Sequence, residues 1–473
     1  MLRLSGSELA RRIAGGELSS VEVVQAHIRQ VRRANPTINA MVAERFLRAL
    51  EEAEEADGSS PIGPFHGVPC SIKECFALTG MPNSSGLVRR ADIVATEDAT
   101  AVARYRAAGA IPLGVTNVSE LCMWMESIND VYGTTSNPYD PRRIVGGSSG
   151  GEGAIVAAAL PFGLGSDIGG SIRMPAFFNG VFGHKPSGQL VPGTGQYPMA
   201  EGKAKRMLAT GPITRHAEDL WPLMKVLAGP DGQDGEEIEL GEPSEVSIEG
   251  LRVLVVADNG MTTPSPEMAA SLQGCADHLA SRGARVEHVA IPRLKRSFDI
   301  WSSAMGAYKS KGFGELMGNG SPISPIRELA RRPLGRSEYT AMASLLAIAE
   351  GLTDRVPQFR DAMLKQGEQL RVEVAEHLGD DGVMLFPPFP RTAPRHYWPF
   401  VRQLGLRFDY AYTAILNFLE LPVTQVPTGL DRRGLPLGVQ VIAAHGQDHR
   451  TVAVAVELER AFGGWVPPAR FYA

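Results

Sequence analysis

The stretch from Gly146 to Pro186 constrains this chain more than any other. It reads GGSSGGEGAIVAAALPFGLGSDIGGSIRMPAFFNGVFGHKP and holds two clusters of glycine and serine, Gly146-Gly147-Ser148-Ser149-Gly150-Gly151 and Ile168-Gly169-Gly170-Ser171. Glycine lets the backbone take positive φ and lets other atoms approach closely. A run of N–H groups unobstructed by side chains forms an anion-binding concavity. A serine closing such a run can attack a carbonyl while neighbouring N–H groups hold the oxyanion. Between the clusters, Glu152 to Leu160 predicts a helix ended by Pro161, and Gly163 to Asp167 a buried strand. Arg173 to Phe178 opens another helix.

Attack on a carbonyl by serine needs a nucleophile, an oxyanion site and a proton for the leaving group. Ser171 is the candidate nucleophile, and the N–H groups of Ile168, Gly169, Gly170 and Ser171 are the candidate oxyanion site. No histidine lies within the two clusters. A candidate base lies upstream, where Gly67 to Lys73 predicts a short strand ending in lysine. If that strand is buried, Lys73 points inward, and burial disfavours the charged form of a lysine. A neutral amine can serve as general base.

These clusters, together with Lys73-Glu74-Cys75-Phe76, Met81-Pro82-Asn83-Ser84-Ser85-Gly86, Ser119-Glu120-Leu121-Cys122-Met123-Trp124 and Arg173-Met174-Pro175-Ala176-Phe177-Phe178-Asn179-Gly180, resemble the amidase signature family of serine hydrolases. Leu421 to Gln425 and Phe462 to Val466 extend the resemblance, while residues 229–321 resemble the family only loosely. The stretch between Ser148 and Ser171 is one residue shorter than the family pattern, near Ala159-Leu160-Pro161. The resemblance implies an α/β fold with a central mixed, twisted β-sheet covered by helices on both faces. It implies a single amidase domain over residues 1–473: an N-terminal helical hairpin (1–60), the signature core (61–228), the loosely similar region (229–321) and a C-terminal part (322–473). It implies hydrolysis of an amide to the acid and ammonia or amine, through an acyl-enzyme and a triad of Ser171, Ser148 and Lys73, with a cis peptide before Ser148. Asp167 and Arg173 are expected to brace the nucleophile loop. Ser149, Ser166 and Asn117 are expected to support the site, and the Cys122 carbonyl to receive the leaving amine. No cofactor and no metal are expected.

Net charge and cysteine usage bound the partners. The formal charge is −5, which disfavours a general attraction to nucleic acid. Cys70, Cys75, Cys122 and Cys275 form no CxxC pair and imply no disulfide framework, so a reducing, cytoplasmic setting is expected. The N-terminus lacks the apolar core of a signal peptide, and no run of about 18 apolar residues predicts a transmembrane helix. Peripheral membrane contact and a homodimer both remain open. The substrate is a small-molecule amide, with apolar acyl and aryl amides both open. The apolar helix predicted from Tyr339 to Leu352 either lines an acyl pocket with Trp301 and Met305 or is simply buried.

Elsewhere the pattern predicts helices at Ser5–Ala14 and, capped by Ser20, at Ser20–Arg33. An acidic helix around Glu51 to Glu55 follows, then a helix at Asp98–Ala108 leading into a strand at Ile111–Thr116. Leu251–Val256, Pro264–Ser281 and Ala284–Val289 read as β-α-β, without the GxGxxG of a dinucleotide site. Val383–Phe386 and Val439–Ala443 read as strands and Asp448–Phe462 as the last helix.

Three rival readings stand beside this one. Gly146-Gly147-Ser148-Ser149-Gly150 also fits the G-x-S-x-G nucleophile elbow. That reading needs a strand before the motif, where Pro138 to Arg143 are poor strand formers, and a histidine such as His184, His216 or His449. The others are an amidotransferase subunit that works with partners and a non-catalytic binding protein on an amidase scaffold.

Overall fold

The computed structural model describes residues 1–353, 356–398 and 403–472. Its strands are β1 (Met41–Glu44), β2 (Pro69–Lys73), β3 (Ile111–Thr116), β4 (Ile128–Asn129), β5 (Gly133–Thr134), β6 (Phe162–Asp167), β7 (Phe182–Lys185), β8 (Ala209–Thr214), β9 (Arg252–Val255), β10 (Arg285–His288), β11 (Val383–Phe386), β12 (Val423–Leu430) and β13 (Pro436–Ala443). All but the β4–β5 hairpin join one eleven-stranded sheet, in the order β1-β3-β2-β6-β8-β7-β12-β13-β11-β9-β10. The sheet is mixed. β2 runs parallel to both β3 and β6, β9 runs parallel to β10 and β11, and β7, β8, β12 and β13 pair antiparallel with their neighbours.

Strand periodicity explains the layers. Successive side chains leave a strand on opposite faces. Val253, Val255, Val383 and Leu385 therefore join one apolar cluster, with helices Pro266–Ser281 and Asp448–Phe462. Leu254, Met384 and Phe386 join another, with helices Ser297–Tyr308, Pro357–Leu378 and Gln403–Phe418. Helices thus cover both faces of an α/β sheet.

The local signals locate most elements and misplace some ends. Helix Gly6–Ala14 is capped by Ser5, whose Oγ accepts the Glu8 N–H at 3.0 Å. The next helix, Ser20–Ile38, is capped by Ser19 rather than Ser20, because the reciprocal capping box pairs Ser19 with Glu22. Ser20 instead donates to the Gly67 carbonyl at 2.8 Å. The helix after Ser149 starts at Gly150, two residues before the expected Glu152, and ends at Ala158. Its glycines allow close packing: a Cβ on Gly151 would lie 2.4 Å from the Asn117 nitrogen. Strands β1, β7, β8 and β12 carry no clear sequence signal. β8 and β12 contain Gly and Pro, and β12 is bulged between Pro427 and Gly429. Among the described residues, no helix is long and apolar enough to cross a membrane.

Because β2, β3 and β6 run parallel, their carboxyl ends lie at one edge of the sheet. That brings Lys73, Thr116 and Asp167 to a common margin, the usual place for a ligand site in an α/β sheet.

Candidate active site

Lys73 ends β2 fully buried. Its Nζ donates to Ser148 Oγ at 2.7 Å and to Ser166 Oγ at 2.9 Å, with the Ser166 carbonyl at 3.4 Å. Ser148 follows Gly147 through a cis peptide bond, the geometry expected before this serine. Ser149 and Ser166 form the next ring. Ser149 Oγ donates to the Ser166 carbonyl at 3.2 Å and accepts the Ser166 N–H at 3.4 Å. The Ser149 N–H meets the Ser171 carbonyl at 3.3 Å. Ser148, Ser166, Ile168 and Ser171 line one cavity of about 310 Å3. The Ser171 hydroxyl has no hydrogen-bond partner among the described residues.

The loop that carries Ser171 is fixed from behind. Asp167 Oδ1 accepts the Gly170 N–H at 2.6 Å, and Oδ2 accepts the Ile172 N–H at 3.0 Å. Arg173 meets the same carboxylate at 3.0 and 3.1 Å. Arg173 also donates to the Thr413 carbonyl, Gln440 Oε1 and Asn417 Oδ1 at 3.0, 3.0 and 2.7 Å. Burial alone would raise the Asp167 carboxyl. The Arg173 guanidinium and the Ile172 N–H outweigh it and hold the group well below the usual carboxylate range. With its N–H on Asp167, Gly170 is an engaged donor. The N–H groups of Ile168, Gly169 and Ser171 meet no acceptor among the described residues.

Further support lies beneath the lysine. Glu152, on the helix after Ser149, accepts Ser71 Oγ at 2.6 Å and Thr116 Oγ1 at 2.8 Å, tying β2 to β3. Burial pushes its carboxyl up to about 8, against those two bonds and nearby Lys73. Glu74 accepts the Ser84 and Ser85 N–H groups, both at 2.7 Å, and the Tyr132 hydroxyl at 2.8 Å. Cys122 sits in a loop where both Leu121 and Cys122 have positive φ. Its carbonyl accepts no hydrogen bond from the described residues, and its thiol lies 3.3 Å from Ser85 Oγ. The neighbouring Cys75 thiol, helped by Lys73 and opposed by burial, holds the Cys122 thiol below its ordinary range, whereas burial pushes Cys75 up. Asn117 has no hydrogen bond to Lys73 or to the two serines. Its carbonyl accepts the Gly151 N–H at 3.1 Å, its Oδ1 accepts the Asn129 amide at 2.8 Å, and its own amide donates to the Gly133 carbonyl at 3.1 Å.

A second, apolar cavity of about 220 Å3 adjoins the first, and the two share Cys122, Met123 and Ile168. Trp124, Phe298, Trp301, Leu346 and Tyr410 are among its walls. The expected apolar helix is observed at Ala341–Thr353 and lines this cavity with Met342, Leu345, Leu346 and Ala349. Met305 lines the first cavity instead.

None of His184, His216 and His449 lines either cavity. His184 is buried between Thr424 and Asp448, and no strand immediately precedes Gly146.

The amidase family profile matches residues 22–452. The chain belongs to the amidase signature family. This amidase is 46% identical over 490 residues to fatty-acid amide hydrolase 2-B of Danio rerio, covering 99% of this chain and 91% of that one. It is 30% identical to a glutamyl-tRNA(Gln) amidotransferase subunit of Thermus thermophilus, over 96% of both chains. The structure of 6-aminohexanoate cyclic dimer hydrolase superposes with a TM-score of 0.84 at 27% identity over 99% of both chains. The amidase is thus a hydrolase acting on amide C–N bonds, and the amidotransferase is the more distant relative.

The residues that sequence reasoning missed around this amidase's site come from far along the chain. Thr413 and Asn417 share one face of helix Gln403–Phe418 with Tyr410, at spacings that align helical neighbours, and all three touch residues 167–170. Two polar residues in the apolar run YAYTAILNF are the signal that could have pointed to them. Gln440 and Glu152 had no such mark.

Proposed function

We propose that this amidase hydrolyses amides of apolar acyl or arylalkyl acids through an acyl-enzyme on Ser171, with Ser148 and Lys73 carrying the proton. The observation that supports this most is the 2.7 Å contact between Lys73 Nζ and Ser148 Oγ in a cavity that Ser171 also lines. In the acting state, neutral Lys73 accepts the Ser148 proton along that contact. Ser148 in turn takes the proton of Ser171 as Oγ bonds to the amide carbon. The N–H groups of Ile168, Gly169 and Ser171 receive the carbonyl oxygen as it becomes an oxyanion. The C–N bond then breaks, and the relayed proton returns through Ser148 to the departing nitrogen, which the Cys122 carbonyl orients. Water, deprotonated through the same pair, frees the acid and restores Ser171.

The apolar cavity is the acyl site in this reading. The likeness to fatty-acid amide hydrolase 2-B supports an apolar acyl group. The cavity holding Ser148 opens toward Glu201, Lys309 and Lys311, which suits a polar leaving amine.

The test is labelling with a fluorophosphonate and peptide mapping, alongside a hydrolysis panel of primary amides with acyl chains of rising length. The adduct should sit on Ser171, Ser171→Ala should lose both label and turnover, and kcat/KM should rise with chain length. An adduct on Ser148 with none on Ser171 would overturn the assignment of the nucleophile.

A further inference from the structure

The peptide between Ile168 and Gly169 is held differently from its neighbours. The next peptide, Gly169–Gly170, is gripped at both ends: Thr413 Oγ1 donates to its carbonyl at 3.0 Å, and its N–H meets Asp167 at 2.6 Å. The Ile168–Gly169 peptide is gripped at one end only. The Trp301 indole Nε1–H donates to the Ile168 carbonyl at 2.8 Å. This peptide is trans, so its N–H points opposite to its carbonyl. Trp301 therefore sets the direction of the Gly169 N–H, which meets no acceptor among the described residues.

The other side of Trp301 belongs to the apolar cavity. Its ring stands edge-on to Tyr410, with centroids 5.3 Å apart, and packs near Phe298 at 6.1 Å. Trp301 and Tyr410 close over Gly169 so tightly that a Cβ there would lie 2.4 Å from the Tyr410 hydroxyl oxygen and 2.9 Å from Trp301. One side chain thus forms the wall of the apolar cavity and holds the peptide that presents an unpaired N–H. The rest of the nucleophile loop hangs on Asp167, Arg173, Thr413 and Asn417, of which none lines that cavity.

We propose that Trp301 is a positioning residue that couples filling of the apolar cavity to the aim of the Gly169 N–H at the oxyanion. The inference rests on the reading of Ser171 as nucleophile and the apolar cavity as acyl site. An acyl chain packed on the indole limits its motion and steadies the peptide it holds. Chain length then acts on kcat as well as on binding.

Trp301→Phe tests this by keeping an aromatic ring and removing the N–H. Loss of a whole oxyanion donor lowers kcat about 10²–10³-fold, so a donor that is present but loosely aimed should lower it about 10-fold. The KM of long-chain amides should stay unchanged. An alkyl boronic acid, which forms a tetrahedral adduct on Ser171 with an oxygen in the oxyanion site, should weaken by the same factor as kcat. The carboxylic acid of equal chain length should bind as before. Equal weakening of both inhibitors, or of neither, overturns the proposal. The unmodified protein gives an independent measurement should Trp301→Phe fold poorly. For esters sharing one leaving group, deacylation kcat should rise with acyl length until the cavity is full. A flat kcat with only KM falling overturns the coupling. Ser171→Ala run in parallel separates the two levels. If it retains turnover, the active-site reading itself fails. If it is inactive while Trp301→Phe matches the unmodified enzyme, only the role of Trp301 fails.

Discussion

Behind Ser171, the loop is supported by polar side chains that are fully buried: Asp167, Arg173, Thr413, Asn417 and Gln440. Around the apolar cavity, Leu345 and Leu346 are half-buried and Ala349 is exposed, and the helix that carries them is walled by apolar contacts. The first region is a closed network in which the Asp167 carboxylate and the Arg173 guanidinium meet named partners. Removing one member strands another in a medium that cannot solvate it. The second region depends on shape and area, so a change there removes contact without stranding a charge. Geometry for the reaction is therefore held by directional bonds deep in the molecule. In the proposed reading, selection of the acyl group is left to a surface that tolerates change.

The first way to break this contrast is Lys73→Ala. It removes the proposed base and should lower amide turnover about 10²–10⁴-fold. Activated aryl esters should suffer less, since their leaving group needs no proton. Equal losses on matched amides and esters would remove the relay from the mechanism. Next comes Arg173→Leu, which leaves Asp167 buried and unpaired. Breaking such a pair destabilises by about 3–5 kcal/mol, so a fall in Tm and in denaturant midpoint should accompany loss of activity. An unchanged Tm would show that the network is not what holds the loop.

Leu346→Gln probes the other region. Long-chain amides should lose roughly 10-fold in kcat/KM, in the range of one or two apolar contacts, while short-chain amides and Tm change little. Uniform loss across chain lengths with a lower Tm would make this helix a core element instead. The smallest expected effect is in Glu152→Gln. The Glu152 carboxyl is raised to about 8 from its ordinary 4.5, so the folded chain keeps a proton that the unfolded chain releases. Its contribution is fully present below about 4.5 and declines as pH rises toward about 8. The glutamine variant keeps acceptor and shape without that proton, so the gap in Tm between variant and parent should widen in its favour from pH 5 to pH 8. A gap independent of pH would mean that Glu152 ionises normally.

The two halves of the site were unequally legible. Ser148, Ser171 and Lys73 stand in stretches whose residue types point to the chemistry proposed for them, and the glycines around them mark backbone that must approach other groups. Gly170 was grouped with the oxyanion donors, yet its N–H faces Asp167, since a motif states which N–H groups are near and not which way each points. Asp167 and Arg173 could be expected to brace the loop, whereas their partners Thr413, Asn417 and Gln440 lie more than two hundred residues away in sequence. Thr413 and Asn417 stand in a helix whose pattern is otherwise that of a core.

By itself the sequence determined the short-range facts: breakers, the glycine-lined loops, the buried lysine at a strand end and the final helix at Asp448–Phe462. These depend on neighbours within a few residues, where steric limits and local hydrogen bonds decide the outcome. The tertiary structure alone decided the order of the sheet, the strands β8 and β12, the orientation of the N–H groups of residues 168–171 and the meeting of Trp301 with Ile168. Those depend on side chains brought together across the sheet edge, where the pairing of buried polar groups is set by the packing of whole elements and leaves no periodic trace in the chain.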